Sequence, residues 1–222
     1  MRLILASVGF GAAGVVEKCV EMVGKRAEKI NFAVINEAMA VEYGDHRWFL
    51  EDMDSIRNNF GGRLEMVNLL ANDVAKIKER LMAADVIFGA GGNTDWLMRV
   101  LVKTGTAELL PKLLRSKVYV GSSAGACVLG CRPGYKTFVE VYEEDQYVEK
   151  YLELVDFTVL PHLYSPDFKT RGIDWVLEDS KLEEALVYAI SDEAAVVVEG
   201  DRTDVMGKDY LVARGGEVVE EG

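Results

Sequence analysis

Lys117-Val118-Tyr119-Val120-Gly121-Ser122-Ser123-Ala124-Gly125 runs a short apolar stretch straight into five small residues. β-Branched and aromatic side chains favour a strand up to Val120, and a helix heading towards Leu129 follows the small residues. The pattern is G-x-S-x-G, a nucleophile elbow, in which small neighbours are needed because the turn is strained and its backbone crowded. Such a turn holds Ser123 Oγ up at the carboxyl end of a strand and aims the Ala124 N–H at a developing oxyanion. A small-residue turn with a purely structural role is the competing reading.

The chain around this turn alternates as an α/β fold requires. Arg2–Val8, Asn31–Asn36, Leu64–Leu69, Asp85–Ala90, Lys117–Gly121 and Leu154–Leu160 read as buried strands. Helical patterns fall near Val15–Lys29, Arg47–Asn59, Asp73–Ala83 and Asp95–Leu114, and Leu97, Val100 and Leu101 share one face of the last. This order predicts an open, mostly parallel sheet with helices on both faces. From Leu186 the texture changes to short strands at Leu186–Ile190, Ala195–Glu199, Tyr210–Ala213 and Glu217–Glu220, an antiparallel or mixed finish. No repeat or linker divides the sequence, so one domain over residues 1–222 is expected. Ligands on such a sheet bind beyond the carboxyl ends of its strands.

Composition narrows the function. Of 222 residues, 25 are Lys or Arg and 37 are Asp or Glu, a net charge of −12 that argues against nucleic acid or an anionic membrane as partner. Half the residues are hydrophobic, which argues against a disordered chain. Two histidines leave no His-rich metal cluster, and no metal is expected. Cys19, Cys127 and Cys131 have neither zinc nor redox spacing, which suits a reducing cytoplasm. The apolar start from Met1 to Gly14 loosely resembles a secretory signal, but three glycines break it and a buried strand is the expected reading.

Two other strand-to-helix turns could hold ligands. Gly9-Phe10-Gly11-Ala12-Ala13-Gly14 fits G-x-G-x-x-G, and Glu37 follows the second strand near where a ribose-binding acid would sit. A dinucleotide-binding oxidoreductase is therefore one alternative, and a plain glycine-rich connection the simpler reading of the turn. In Gly89-Ala90-Gly91-Gly92-Asn93-Thr94-Asp95, paired glycines free backbone N–H groups to face a ligand, while Asn93 or Thr94 can cap the helix.

A serine nucleophile needs a base, and the base an orienting acid. His162 follows a strand in Leu160-Pro161-His162, whereas His46 lies in a polar loop and reads as surface. Asp192 and Glu193 follow the strand Leu186–Ile190, and only one of the two can point inward. Glu140, Glu143, Glu144, Asp145 and Glu149 form a charged stretch that reads as a solvated face, and Cys127 as a small buried hydrophobe.

Together these motifs resemble the serine peptidase family that comprises aspartyl dipeptidase (peptidase E) and cyanophycinase. The resemblance rests on Ala84-Asp85-Val86-Ile87-Phe88 leading to Gly91-Gly92-Asn93-Thr94, on Tyr119–Ala126, on Leu160-Pro161-His162 and on Asp192-Glu193 before an apolar strand. Ser7-Val8-Gly9-Phe10 is also similar to the family's opening, and order and spacing agree over about residues 1 to 200. It implies a flavodoxin-like three-layer sandwich similar to class I glutamine amidotransferase domains, with serine in place of their cysteine. It further implies Ser123 as nucleophile, His162 as general base and Glu193 as orienting acid, with Asp192 in reserve. Backbone N–H groups of Ala124 and of Gly91 or Gly92 would form the oxyanion hole. Asn93 and Arg171 are the implied substrate-binding residues, Arg171 for a β-carboxylate, with an ordinary helix-surface charge as its alternative. Arg132 and Lys136 are further candidates for positive charge near the site. The sequence departs from aspartyl dipeptidase at Ser122, where that enzyme has a large aromatic, and in the short stretch between His162 and Arg171.

The resulting expectation is a cytoplasmic serine exopeptidase, without cofactor, acting on short acidic peptides as a monomer or homodimer. Besides the oxidoreductase, a catalytically silent amidotransferase-like binding domain is the other alternative.

Overall fold

The computed structural model describes residues 1–133, 148–182 and 184–222. Lys136, Glu140, Glu143, Glu144 and Asp145 fall outside the described residues. The apolar start of the chain forms β1 (Arg2–Ala6), and α1 (Val15–Val23), β2 (Phe32–Ile35), α2 (Arg47–Asn59), β3 (Leu64–Met66) and α3 (Val74–Met82) follow. Next come β4 (Val86–Gly89), α4 (Thr94–Lys103), α5 (Thr106–Leu113), β5 (Val118–Ser122) and α6 (Ala124–Cys127). The remainder is β6 (Phe157–Pro161), α7 (Ile173–Ser180), β7 (Leu186–Ile190), β8 (Ala195–Glu199), β9 (Arg202–Met206), β10 (Tyr210–Arg214) and β11 (Glu217–Glu221).

Seven strands form the central sheet in the order β3-β2-β4-β5-β1-β8-β9. The first five are parallel, and β8 and β9 close the edge antiparallel. Alternation along each strand divides the core. Ile4, Ala6, Phe32, Val34, Phe88 and Val120 pack under α1 and α2 on one face. Leu3, Leu5, Ala33, Ile35, Ile87 and Tyr119 pack under α3, α4 and α5 on the other. The largely parallel α/β sheet flanked by helices agrees with the expected fold class.

The helix expected over Val15–Lys29 ends at Val23, β9 is a strand the sequence reading does not include, and three further details depart from it. The segment placed at Leu154–Leu160 becomes β6, which pairs parallel with β7 in a second, four-stranded sheet, β11-β10-β7-β6, outside the central one. Buried apolar residues fit either sheet, because periodicity records burial and not the partner strand. The strand expected at Leu64–Leu69 shrinks to three residues on the sheet edge, where Leu64 and Met66 are exposed. The helix expected over Asp95–Leu114 is two helices, broken at Gly105, which adopts φ +73°. That left-handed conformation suits glycine and ends a right-handed helix.

The second sheet leans on the first. Phe157, Val159 and Ile190 join the same core cluster as Leu3 and Tyr119, while Leu160, Val187 and Leu211 pack against Trp175 and Val176 of α7. The carboxyl ends of β1, β5, β6 and β7 thereby converge on one cavity.

Candidate active site

Ser123 sits at the end of β5 in a backbone conformation of φ 47° and ψ −109°. A non-glycine residue there is strained, and the crowding around it shows what holds it. Gly125 lies so close to β4 that a Cβ atom would overlap the Gly89 carbonyl. The Tyr119 hydroxyl donates to the Gly125 carbonyl at 2.7 Å, and the Ser123 N–H donates to the Ala6 carbonyl at 2.9 Å. The turn is thus pinned to β1 and β5, and the serine hydroxyl projects into the cavity.

His162 follows β6 directly. Its Nε2 lies 3.0 Å from Ser123 Oγ, and its Nδ1 lies 2.7 Å from Asp192 Oδ1. The ring stacks on Phe168 with centroids 4.6 Å apart and an 18° interplanar angle. His46 stands at the entry to α2 with its ring 5.8 Å from that of Trp48 and does not line the cavity.

The acid facing the imidazole is Asp192, not Glu193. Glu193 follows one residue further into the turn, where its N–H donates to Ser191 Oγ at 3.0 Å and its carboxylate pairs with Lys208 Nζ at 3.0 Å. Burial works against ionisation of Asp192, but the hydrogen bond and charge of His162, with help from Ser165 and Arg171, hold its carboxyl below the usual range. A carboxylate in this state fixes the imidazole tautomer and favours its protonated form during proton transfer.

Other predicted residues divide between cavity and framework. Gly91 and Gly92 line the cavity beside Ser122 and Ser123, and among the described residues no backbone carbonyl accepts from their N–H groups. Their neighbours are committed: Ala90 N–H donates to Ile35 and Asn93 N–H to Ala38. The Ala124 N–H opens a helix, where no intrahelical acceptor exists. Asn93, expected at the substrate, instead caps α4: its Oδ1 accepts from Trp96 N–H at 2.8 Å, the residue is buried, and it does not line the cavity.

Arg171 does line the cavity, but from within the wall. Its guanidinium lies 4.0 Å over the Phe168 ring, and Nη1 donates to the Pro161 carbonyl at 2.9 Å. Being buried, it is not the helix-surface charge offered as the alternative. Arg132 faces Asp95, its Nη2 3.7 Å from Asp95 Oδ2, and does not line the cavity. Cys127 is buried with its Sγ 3.4 Å from the Val159 carbonyl, and burial pushes its thiol up to about 12.

The structure also supplies a residue with no sequence signal. Asp52, on α2, is buried against Gly9 and lines the cavity beside Ser122. Burial, with Glu51 adding repulsion, pushes its carboxyl up to about 7 against the opposing pull of the Ser122 hydroxyl and the Phe10 N–H. A charged residue on an amphipathic helix reads as solvated, so only the packing of α2 on the Gly9–Gly11 turn reveals it. That packing also fills the glycine-rich turn proposed for a dinucleotide. Phe10 sits in an aromatic cluster with Phe32, Phe60 and Phe88, and Glu37 is buried with its carboxylate on the Leu69 N–H.

A strained serine at a strand end, bonded to an imidazole that is itself held by a carboxylate, is the constellation of a serine hydrolase. Comparison with known proteins narrows the class. The model of peptidase family S51 matches residues 3–206, and the chain belongs to that family of serine-type peptidases. An uncharacterised peptidase of Pasteurella multocida is 32% identical over 116 residues, 50% of this chain and 56% of that protein. Peptidase E of Streptomyces coelicolor is 31% identical over 136 residues, 58% and 55% respectively. The chain thus spans about half the length of these curated relatives. A solved structure from Listeria monocytogenes EGD-e, provisionally assigned to peptidase E, shares the fold with a TM-score of 0.77. It is 24% identical, over 93% of this chain and 98% of that one. No helix among the described residues is long and apolar enough to cross a membrane.

Proposed function

We propose that the protein hydrolyses short peptides as a serine exopeptidase, through an acyl-enzyme. The observation that carries this reading is the unbroken chain Ser123 Oγ, His162 Nε2, His162 Nδ1 and Asp192 Oδ1, at 3.0 Å and 2.7 Å. Ser123 attacks the scissile carbonyl while His162 takes the hydroxyl proton. The tetrahedral oxyanion rests on the N–H groups of Ala124 and of Gly91 or Gly92. His162 then gives its proton to the leaving amine, and water clears the acyl-enzyme by the same route. General acid–base transfer of this kind supplies about 10²–10⁴-fold.

The cavity, about 670 Å³, suits a short peptide rather than a protein chain. Glu42, Glu51 and Asp52 line its α2 side, and none of the three forms a salt bridge among the described residues. Carboxylates so placed suit a free α-ammonium, the group that an exopeptidase acting at the N-terminus must hold. An N-terminal aspartate is the preferred residue in this reading, its β-carboxylate drawn to Arg171, the one Arg or Lys among the described residues lining the cavity.

Hydrolysis of Asp-X, Glu-X, Ala-X and β-aspartyl peptides by the wild-type and Ser123→Ala proteins tests both levels. Loss of all activity in the variant supports the serine chemistry, and a variant at wild-type rate ends it. Equal rates on Asp-X and Ala-X would leave the chemistry and remove the aspartyl preference.

A further inference from the structure

Ser123 follows β5 of the central sheet, while His162 and Asp192 follow strands of the second sheet, and among the described residues no strand pairs across the two. A hydrogen bond between Ser123 and His162 therefore requires the sheets to be registered at that point by something other than strand pairing. The end of β1 does this with two consecutive residues. The Ala6 carbonyl accepts from the Ser123 N–H at 2.9 Å. Ser7, buried next to it, accepts from the His162 N–H at 2.9 Å and donates from the same Oγ to the Ile190 carbonyl at 3.0 Å. Ile190 ends β7, two residues before Asp192, and stands opposite Pro161 in the ladder.

We propose that Ser7 is a positioning residue for hydrolysis, whose hydroxyl sets the register between the strand end carrying the nucleophile and the strand ends carrying the base and acid. The proposal rests on the reading of Ser123 and His162 as nucleophile and base. A hydroxyl suits the task because one atom must both accept and donate. The base is the member of the pair that depends on it. His162 has φ +65°, a conformation a non-glycine residue keeps only when its surroundings hold it. Without Ser7 Oγ its N–H has lost its acceptor, and relaxing the backbone would carry Nε2 away from Ser123. The Ile190 carbonyl, by contrast, keeps a second donor, the Leu163 N–H at 3.0 Å.

The test compares Ser7→Ala and Ser7→Cys with wild type and Ser123→Ala, using Asp-Ala hydrolysis and the rate of labelling by a serine-reactive phosphonate. Ser7→Ala is expected to lower kcat about 10- to 100-fold with KM within about twofold, and to slow labelling by the same factor. Ser7→Cys keeps the volume but lengthens both contacts, so it should fall between wild type and Ser7→Ala. It also carries the test if the alanine variant does not fold. Either variant with kcat and labelling at the wild-type level overturns the proposal, as does a loss confined to KM. A wild type that is neither labelled nor impaired by Ser123→Ala would instead remove the hydrolase reading, and the role of Ser7 with it.

Discussion

His162 Nδ1 lies 2.7 Å from Asp192 Oδ1 because the two residues follow neighbouring parallel strands of the second sheet. Pro161 stands opposite Ile190, so both strands leave the ladder at the same edge, and His162 one residue on meets Asp192 two residues on. Glu193 is carried past this edge by the turn, towards Lys208.

The first prediction separates the two acids. Asp192→Asn retains the shape but presents the wrong tautomeric partner to the imidazole, and kcat should fall about 10²–10⁴-fold. Glu193→Gln removes a surface ion pair and should leave kcat within about twofold. Steady-state hydrolysis of an aspartyl dipeptide decides the matter, and the reverse order of effects would reassign the acid.

Asn93→Ala removes the side-chain cap of α4 and nothing that lines the cavity. Urea denaturation should show a loss of about 1 kcal/mol. KM should stay within about twofold of wild type, and a large rise would return Asn93 to the substrate.

Gly125→Ala places a methyl group against the carbonyl of Gly89, a backbone atom that cannot swing aside. Overpacking of this kind costs about 1–3 kcal/mol or more. Calorimetry should record a lowered Tm. Because the strained Ser123 turn rests on this contact, kcat should fall too.

Asp52 carries a carboxyl pushed up to about 7, above the ordinary value of about 4 that it regains in the unfolded chain. The native state then binds the proton more tightly than the unfolded one. Its contribution to stability is full below about pH 4 and is lost as pH rises towards and through 7. For one proton the slope approaches about 1.4 kcal/mol per pH unit within that window. Asp52→Asn, neutral and of equal size, should flatten the unfolding free energy between pH 4 and pH 7 in denaturant titrations. An unchanged slope would mean the carboxyl ionises freely in the folded protein.

The parts of this protein that local chemistry controls were legible in advance. Arg47–Asn59 forms a helix with the boundaries its periodicity implies, and the G-x-S-x-G stretch makes the strand–turn–helix it requires. Gly105 was visible as a glycine within a helical pattern, but whether a glycine is tolerated or ends a helix depends on neighbours it meets only in the fold.

The sequence by itself determined the alternation of strands and helices, the elbow at Ser123 and the nomination of His162 over His46. These follow from burial periodicity, from the steric demands of a tight turn and from position after a strand, all properties of short segments. Only the tertiary structure set Asp192 rather than Glu193 against the imidazole, put the Asn93 side chain at the start of α4, and placed Asp52 and Ser7 at the cavity. Those outcomes depend on which strand lies beside which and on what a helix packs against. A turn of two adjacent carboxylates, or a serine after a strand, carries no record of the partner that the second sheet brings to it.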